Sequence, residues 1–471
     1  MGRGIRLVVA LGAALALLVP TPSHGEPLTR VGIDWSTYGF DLARTGFNPF
    51  ETTIGVDNAG SLHELWSYHL GGQAVNQASY ATGVLVHGQP RNVVYVGATD
   101  GYLYAVNADT GVLIWRRWLG LVPSAGCGTY GIGGSSTIDR AANRIYVPAA
   151  TGRVFALDLS TGAVAAGWPV VLTRTPRYEY MWSALTLVGT QLYAALASYC
   201  DQPPYFGRLV RIDVRAAKPD AVFYVTGDPA VSGGAIWGWG GASVDPSGDV
   251  FVATGNALDA NEAFGYSEQV VRLTANLSVV AANYPGLTGF DVDFGATPVL
   301  YQAPGCPPQL AVENKDGELF VYDRDTIDAG PFQRIHTANY GVSGLIGLPA
   351  YSPPENMVFV ANPSDSPDGT YKAGLLAFAV QPDCTLALTW QRQYGEGVVQ
   401  NTPPTPTVAN GVVYSADGGF VVPSTLRAFD ALTGELLWST QFDGGSWSSP
   451  IVVNGKVFTA PGDDTLHAFG L

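Results

Sequence analysis

The sequence has few charged residues, and most of its charge is of one sign. Only 13% of the 471 residues are charged, and 39 acidic against 24 basic residues give a formal net charge of −15. Nucleic acids and anionic membrane surfaces are bound through basic patches. Neither is therefore expected as a partner of this chain.

Long apolar runs are missing beyond the N-terminus. Arg3 and Arg6 precede the apolar run Leu7–Val19, and small residues follow up to Gly25, which is the order of an export signal. Thirteen apolar residues are too few to cross about 30 Å of hydrocarbon as a helix. We therefore predict a signal peptide over residues 1–25, cleaved near Gly25, and a secreted or periplasmic protein without a membrane span.

Cysteine is scarce, and none of the spacings is CxxC or CxxCH, so neither a zinc knuckle nor a covalently attached haem is indicated. An even number of cysteines in an exported chain predicts disulfides. The four that are present predict two bridges among Cys127, Cys200, Cys306 and Cys384.

The apolar period of a long helix is also absent. Gly and Pro together make 90 of 471 residues, or 19%, against about 12% in an average protein. They alternate with aromatic and β-branched residues, which favour strands. This composition is typical of many short strands joined by tight turns.

A repeated segment shows how these strands are organised. Val94–Asn107 and Ile145–Asp158 each contain a short strand, a turn with glycine and a second strand. Further copies follow, and apolar residues alternate within them. Eight copies of four short antiparallel strands predict an all-β fold, an eight-bladed β-propeller. The copies begin near residues 94, 145, 192, 250, 310, 358, 413 and 457, at spacings of 44 to 60 residues.

The two ends of the chain predict how the ring closes. The last copy has three strands, and Leu62–Gly72 closely matches Glu435–Gly445, the outer strand of the seventh copy. An N-terminal strand that completes the last blade leaves no exposed sheet edge. We therefore expect a lead-in segment over residues 26–60, a closed propeller over residues 61–471, and a monomer.

The predicted strand order also pairs the cysteines. Cys127 lies in a link between blades and Cys200 follows a second strand, so both belong to one face of neighbouring blades. Cys306 lies between first and second strands and Cys384 follows a third strand, which places both on the opposite face. The expected bridges are Cys127–Cys200 and Cys306–Cys384, because the other pairings must cross the ring.

The chain resembles the β-propellers of the pyrroloquinoline-quinone (PQQ) repeat family, and in particular PQQ-dependent alcohol and polyvinyl-alcohol dehydrogenases without a haem domain. The repeat itself carries the resemblance over nearly all of the mature chain. Four local matches add to it: Trp35–Asn48, Ile236–Gly241 leading to Asn256, Asp291–Pro298 and Asn314–Gly317.

The resemblance implies PQQ and calcium as cofactors, on the face formed by the links between blades and the turns between second and third strands. A carboxylate would accept the proton of the alcohol, oxygen ligands would hold calcium, and flat rings would support the quinone. The implied residues are Asp293 or Asp291 as the base, Asn256 and Asp201 as metal ligands, Trp237 or Trp239 as the platform, and Lys315 as a contact to the reduced quinone. The bridge of Cys127 would stand where the family covers its cofactor.

Three departures from the family pattern leave two functions open. The catalytic relatives have two adjacent cysteines where Cys127 stands alone, a metal-binding Glu where this chain has Cys200 and Asp201, and in one branch a haem domain. The first hypothesis is an exported quinoprotein oxidoreductase acting on a small or polymeric alcohol. The alternative is a non-catalytic propeller that serves as a scaffold for a protein or carbohydrate partner.

Overall fold

The computed structural model describes residues 1–2, 32–258, 264–289, 291–339, 347–395, 403–419 and 421–471. The chain divides into the units Met1–Gly32 and Ile33–Leu471, and the fold below is that of the second unit. Apart from its first two residues, the predicted signal peptide lies outside the described residues. No helix in the described ranges has the length and apolar character needed to cross a membrane. The helices found there are the short 3₁₀ helices Ala59–Ser61 and Arg324–Ala329.

Eight four-stranded antiparallel sheets follow one another along the chain, and the predicted eight-bladed propeller is confirmed. Blade 1 comprises Ser79–Val86, Gln89–Gly97, Tyr102–Asn107 and Leu113–Trp118, and blade 2 comprises Thr137–Asp139, Arg144–Ala149, Arg153–Asp158 and Val170–Val171. Blade 3 comprises Thr186–Val188, Gln191–Ser198, Arg208–Asp213 and Lys218–Tyr224, and blade 4 comprises Ser243–Val244, Val250–Ala253, Val270–Leu273 and Val279–Asn283. Blade 5 comprises Val299–Tyr301, Gln309–Glu313, Glu318–Asp323 and Gln333–His336, and blade 6 comprises Ala350–Ser352, Met357–Asn362, Gly374–Val380 and Leu386–Gln393. Blade 7 comprises Thr407–Ala409, Val412–Ala416, Ser424–Asp430 and Leu436–Phe442, and blade 8 comprises Ile451–Val453, Lys456–Thr459, Thr465–Gly470 and, from the N-terminus, His63–His69.

Short strands outside this pattern lie in the links and turns. Val122–Pro123 pairs with Thr129–Tyr130, Glu179–Tyr180 extends blade 3, Gly233–Ala235 pairs with Gly255–Ala257, and Phe47–Asn48 runs parallel to Thr407–Ala409.

Inner and outer strands of a blade differ in how many of their side chains are buried, because inner strands are covered by neighbouring blades and outer strands face solvent. Val93–Val96 in the second strand of blade 1 are at most 1% exposed, since neighbouring blades cover both faces of the sheet. The outer strand Leu436–Phe442 alternates between exposed and more buried residues. The apolar clusters that hold the fold together therefore lie between blades and not inside a single central core.

The N-terminal strand closes the ring as predicted. His63–His69 pairs antiparallel with Thr465–Gly470, with a bulge between Glu64 and Trp66. The Trp66 indole N–H also donates to the carbonyl of Ala108 in blade 1, at 3.1 Å. The strand therefore joins the last blade to the first.

The same tryptophan contact recurs around the ring and explains why the sequence repeat has a glycine in the turn before its outer strand. Trp66 lies against the turn glycine Gly111, where an added Cβ would come within 2.9 Å of the indole ring. This close approach, together with a φ of +72°, requires glycine at that turn. Equivalent indole-to-carbonyl hydrogen bonds join Trp115 to Leu159 and Trp390 to Ala431.

The lead-in residues 35–48, here called the axial segment, contact every blade, which the sequence did not predict. Arg44 is fully buried and donates to the Tyr38 carbonyl and to Thr186 of blade 3. In blade 1, the backbone of Tyr80 pairs with that of Trp35, and in blade 8 the Val452 carbonyl accepts a hydrogen bond from the Asn48 side chain. In blade 2 and in blades 4 to 7 a backbone N–H donates to a carbonyl of the segment: Ile138 to Ser36, Val244 to Leu42, Leu300 to Ala43, Tyr351 to Thr45 and Val408 to Gly46. The segment therefore fills the centre of the ring.

Both predicted disulfides are present. Cys127 and Cys200 are bridged at a Cα separation of 6.4 Å, and Cys306 and Cys384 at 5.6 Å. Gln309 in blade 5 also donates to the carbonyl of Cys384 in blade 6. The second bridge thus joins neighbouring blades, as the predicted strand order required.

Blade 5 buries an acidic side chain that forms no ion pair with any residue the structure describes. Glu313 ends the second strand, is 2% exposed, and its Oε1 atom has no hydrogen-bond partner among the described residues. Burial raises the pKa of Glu313 from its ordinary value of 4.5 to about 8. The folded protein therefore holds this proton more tightly than the unfolded chain, and the stability from Glu313 is lost as the pH rises through about 8.

We expect Glu313→Gln to remove this loss. At pH 5 the variant and the wild type should have similar free energies of unfolding, and at pH 9 the variant should be more stable by roughly 3–5 kcal/mol, because one pKa unit corresponds to about 1.4 kcal/mol. Thermal unfolding at the two pH values measures the difference. An equal effect at both values would show that the carboxyl group does not titrate as described.

Candidate active site

A cavity of about 480 Å³ opens at the axis of the propeller. Its walls come from the links between blades and from the turns between second and third strands. This is the face to which the sequence assigned the implied cofactor residues. The polar side chains that line it are Gln73, Thr99, Ser198, Asp201, Asn256, Asp293 and Lys315, and the aromatic ones are Tyr130, Trp182, Trp237, Trp239 and Trp447.

Asp293 is the most buried charged residue of the cavity wall, at 1% exposure. Its Oδ1 atom lies 2.7 Å from the ammonium nitrogen of Lys315. Its Oδ2 atom accepts hydrogen bonds from the Trp237 indole N–H at 2.9 Å and from the Asn256 backbone N–H at 3.3 Å. Two hydrogen bonds at Oδ2 and the ion pair with Lys315 at Oδ1 thus hold the carboxylate in place.

Lys315 and Asp291 complete this polar group. The ammonium nitrogen of Lys315 also lies 2.7 Å from Asp291 Oδ1 and 4.8 Å from the centre of the Trp237 ring. Asp291 does not line the cavity, and its side chain is 42% exposed. The Asp293 carbonyl accepts the backbone N–H of Lys315, which ties the turn of blade 5 to the link before it.

Burial and charge act in opposite directions on these groups. Burial raises the pKa of Asp293, and the neighbouring Lys315 counteracts that rise. Burial alone would lower the pKa of Lys315, but Asp293 and Asp291 together raise it above its ordinary value. The lysine therefore stays charged, and Asp293 titrates at a higher pH than an ordinary aspartate.

A glycine allows the chain to pass directly beside the carboxylate. A Cβ on Gly255 would lie 2.8 Å from Asp293 Oδ2, so a larger residue would displace the acid. Gly255–Ala257 pairs with Gly233–Ala235, which fixes the next residue, Asn256, at the cavity wall. Strand pairing thus determines how the N–H of Asn256 points at Asp293.

The two implied metal ligands both line the cavity. Asn256 follows the second strand of blade 4 and is 7% exposed, and Asp201 follows the second strand of the neighbouring blade 3 and is exposed. Asp201 Oδ1 accepts hydrogen bonds from Ser198 at 2.7 Å and from Tyr205 at 3.2 Å. Within the ranges that the structure describes, no three His, Cys, Asp or Glu side chains come together as a metal site.

The two implied platform residues have different neighbours. Trp239 is 5% exposed and belongs to the same buried apolar cluster as Tyr38 of the axial segment. Trp237 is partly buried and is oriented by its hydrogen bond to Asp293. Both tryptophans line the cavity.

The disulfide at this face reaches the cavity through only one of its cysteines. Cys200 lines the cavity wall. Cys127 is not a lining residue and is connected to the wall only by its disulfide to Cys200. Cys306 and Cys384 are not among the lining residues, in agreement with their assignment to the opposite face.

An aromatic wall beside this disulfide was not found from the sequence. Tyr130 and Trp182 line the cavity with ring centres 5.5 Å apart, and Tyr180 packs at 4.5 Å from Trp182. Trp447 contributes a further ring from the link between blades 7 and 8. The one feature of the sequence that could have indicated these rings is their position in links between blades, on the same face as Asp293.

Two family models match parts of the chain. One, described as "Glucose/ethanol/alcohol dehydrogenase, beta-propeller domain", matches residues 35–170, and another, described as "Outer membrane protein assembly factor BamB", matches residues 384–470. The two matches cover the first and the last part of the eight-bladed propeller. The predicted resemblance to the PQQ-repeat β-propeller family is thus confirmed.

Individual proteins are similar over different lengths. The quinohemoprotein alcohol dehydrogenase of Comamonas testosteroni is 28% identical over 45% of this chain and 26% of its own length. The quinate/shikimate dehydrogenase (quinone) of Acinetobacter baylyi is 22% identical over 69% of this chain and 48% of its own length. The chain thus spans less than half the length of these curated relatives.

Among solved structures, a europium-containing methanol dehydrogenase shares the fold. Its TM-score is 0.71 at 15% sequence identity, and the superposition covers 94% of this chain and 99% of that one. This likeness concerns the architecture alone.

Proposed function

We propose that the protein is an exported quinoprotein oxidoreductase, which binds PQQ and calcium in this cavity and oxidises an alcohol-type substrate. The observation that carries the proposal is the buried carboxylate of Asp293, held at the cavity wall by Lys315 and Trp237. A positioned carboxylate of raised pKa is suited to accept the proton of a hydroxyl group.

The residues present fit the two implied groups. Calcium takes oxygen ligands, and the Asn256 amide and the Asp201 carboxylate both line the cavity. Trp239, with Trp237 beside it, offers flat aromatic surface to the rings of a quinone. Cys200, bridged to Cys127, lies at the same cavity and would cover the bound cofactor.

Each side chain then has a definite task. When bound, the quinone supplies the two-electron acceptor and calcium polarises it. Asp293 accepts the hydroxyl proton of the substrate, Trp237 and the Asn256 N–H fix the orientation of its carboxylate, and Lys315 favours its ionised form. Asp291 holds Lys315 from the solvent side.

A non-catalytic scaffold is the second candidate. Residues 384–470 match the model of an assembly factor, and the place of the family's metal-binding Glu is taken by Cys200 and Asp201. In such a protein, the cavity face would bind a protein or carbohydrate partner without redox chemistry.

Reconstitution separates the two candidates. Adding PQQ and calcium to the purified protein is expected to produce the absorbance of bound quinone and dye-linked oxidation of a primary alcohol. The double variant Asn256→Ala with Asp293→Asn should lose this activity and keep nearly the wild-type melting temperature, because the asparagine amide still accepts the Trp237 N–H. A folded protein that binds neither PQQ nor calcium would contradict the oxidoreductase and favour the scaffold.

A further inference from the structure

A histidine lies between two carboxylates where the closing strand His63–His69 meets the last strand of blade 8. Nδ1 of His467 lies 2.7 Å from Oε1 of Glu64, which belongs to the closing strand. Nε2 of His467 lies 3.0 Å from Oδ2 of Asp463, in the turn before its own strand. Both ring nitrogens therefore contact a carboxylate, and one of these contacts crosses the strand pair that closes the ring.

The other neighbours of His467 carry no charge. Phe442, at the end of the outer strand of blade 7, packs with its ring centre 4.9 Å from the imidazole. Thr459, on the second strand of blade 8, is the strand partner of His467 on the other side. Only 13% of the His467 side chain is exposed. Within the described part of the chain, Glu64 and Asp463 are thus the charged groups in contact with this imidazole.

Only the protonated imidazole satisfies both contacts. A neutral imidazole has one N–H, and its other nitrogen would turn a lone pair toward a carboxylate oxygen, whereas the charged form donates from both nitrogens. Burial lowers the pKa of His467, but the hydrogen bonds to Asp463 and Glu64 outweigh burial and raise that pKa above its ordinary value of 6.5. The stability from these contacts is therefore complete below about pH 6.5 and is lost as the pH rises through the raised pKa.

We propose that His467 and Glu64 form a pH-sensitive latch on the ring, which holds the closing strand on blade 8 when the imidazole is protonated and weakens when it is neutral. The same strand carries Trp66, which donates to the Ala108 carbonyl in blade 1. The latch therefore acts on the contact between the last blade and the first. It does not depend on the chemistry of the axial cavity, so it stands apart from the proposed function.

Hydrogen exchange of the full chain at pH 6 and pH 8.5, followed by mass spectrometry, tests the latch. Protection factors, corrected for the intrinsic pH dependence of exchange, are compared between the closing strand His63–His69 and the inner strand Gln191–Ser198 of blade 3. Between the two pH values, protection of the closing strand should fall by about tenfold more than that of the inner strand, because hydrogen bonds to charged groups are the stronger ones. The comparison removes the effect of Glu313, since that side chain changes the stability of the whole fold.

Three single variants assign the effect to the latch. Glu64→Gln and His467→Gln should each give the closing strand the same relative protection at both pH values, near the wild-type level at pH 8.5. The Glu64 side chain is 46% exposed, so its variant should fold even if the histidine variant does not. His69→Gln, at an exposed position of the same strand, should behave as the wild type. The latch would be overturned by a wild-type relative protection that does not change with pH, by a pH dependence that survives Glu64→Gln, or by one that His69→Gln removes.

Discussion

Replacing residues 63–69 with a flexible Gly/Ser segment of equal length is expected to destroy the cooperative unfolding of the ring. This strand supplies the outer edge of blade 8 and pairs with Thr465–Gly470. It also carries Trp66, which packs against Phe458 in blade 8 and donates to the Ala108 carbonyl in blade 1. Without it, the last blade loses its outer strand and the first blade loses the ring that docks on its turn.

The expected loss of stability is large because the loss of the Trp66 packing and the loss of strand pairing add to each other. Truncating a well-packed tryptophan alone costs about 3–5 kcal/mol, which is a large part of the stability of most domains. An unpaired edge on Thr465–Gly470 also invites pairing with another chain. Thermal unfolding by circular dichroism and light scattering after size exclusion would show a lower, broader transition and oligomers.

A matched control lies on the same strand. Leu65 is 40% exposed, so Leu65→Ala should change stability by no more than about 1 kcal/mol, whereas Trp66→Ala should cost several times more. The ring-closure interpretation would be wrong if the Gly/Ser variant melted at the wild-type temperature and stayed monomeric.

The blades were predictable from the sequence because their determinants are local and repeated. A strand, a glycine turn and a second strand are contained in about 14 residues, as in Val94–Asn107. The closing strand was predictable for the same reason, since Leu62–Gly72 repeats the pattern of another outer strand. Local pattern also placed the cysteines on their faces, and with them both disulfides.

The axial segment was not predictable because its contacts are long-range. Asn48 bonds to Val452, 404 residues away, and Arg44 to Thr186, 142 residues away. Trp35 to Asn48 looked like a lead-in to the propeller, and nothing in its own residues shows that eight inner strands surround it. Only the assembled ring creates the space that it fills.

The candidate site was predictable in its polar part and not in its aromatic wall. Local sequence matches indicated the residues expected near a quinone, and of these Asp293, Lys315 and Asn256 do meet at one cavity. Tyr130 and Trp447 lie in links of the same kind, but every pair of blades has such a link. The spacing of residues does not reveal which links lean over the axis.

Asp293→Asn is expected to lower quinone-dependent turnover by about 10²–10⁴-fold, because the proton acceptor is lost. The fold should survive the change. The amide oxygen of the asparagine still accepts the Trp237 indole N–H, and Lys315 keeps Asp291 as a partner. Steady-state kinetics with the reconstituted protein, beside its melting temperature, measures both effects.

Asp291→Asn is the matched comparison, because the sequence left the choice between the two aspartates open. The charge of Asp291 raises the pKa of Asp293, so its removal should lower that pKa. Since Asp293 acts in its ionised form, the acid limb of the pH–rate profile should move to lower pH while turnover at the optimum is largely kept. If Asp291→Asn instead stopped turnover and Asp293→Asn retained it, the proton acceptor would be Asp291, the more exposed of the two carboxylates on Lys315.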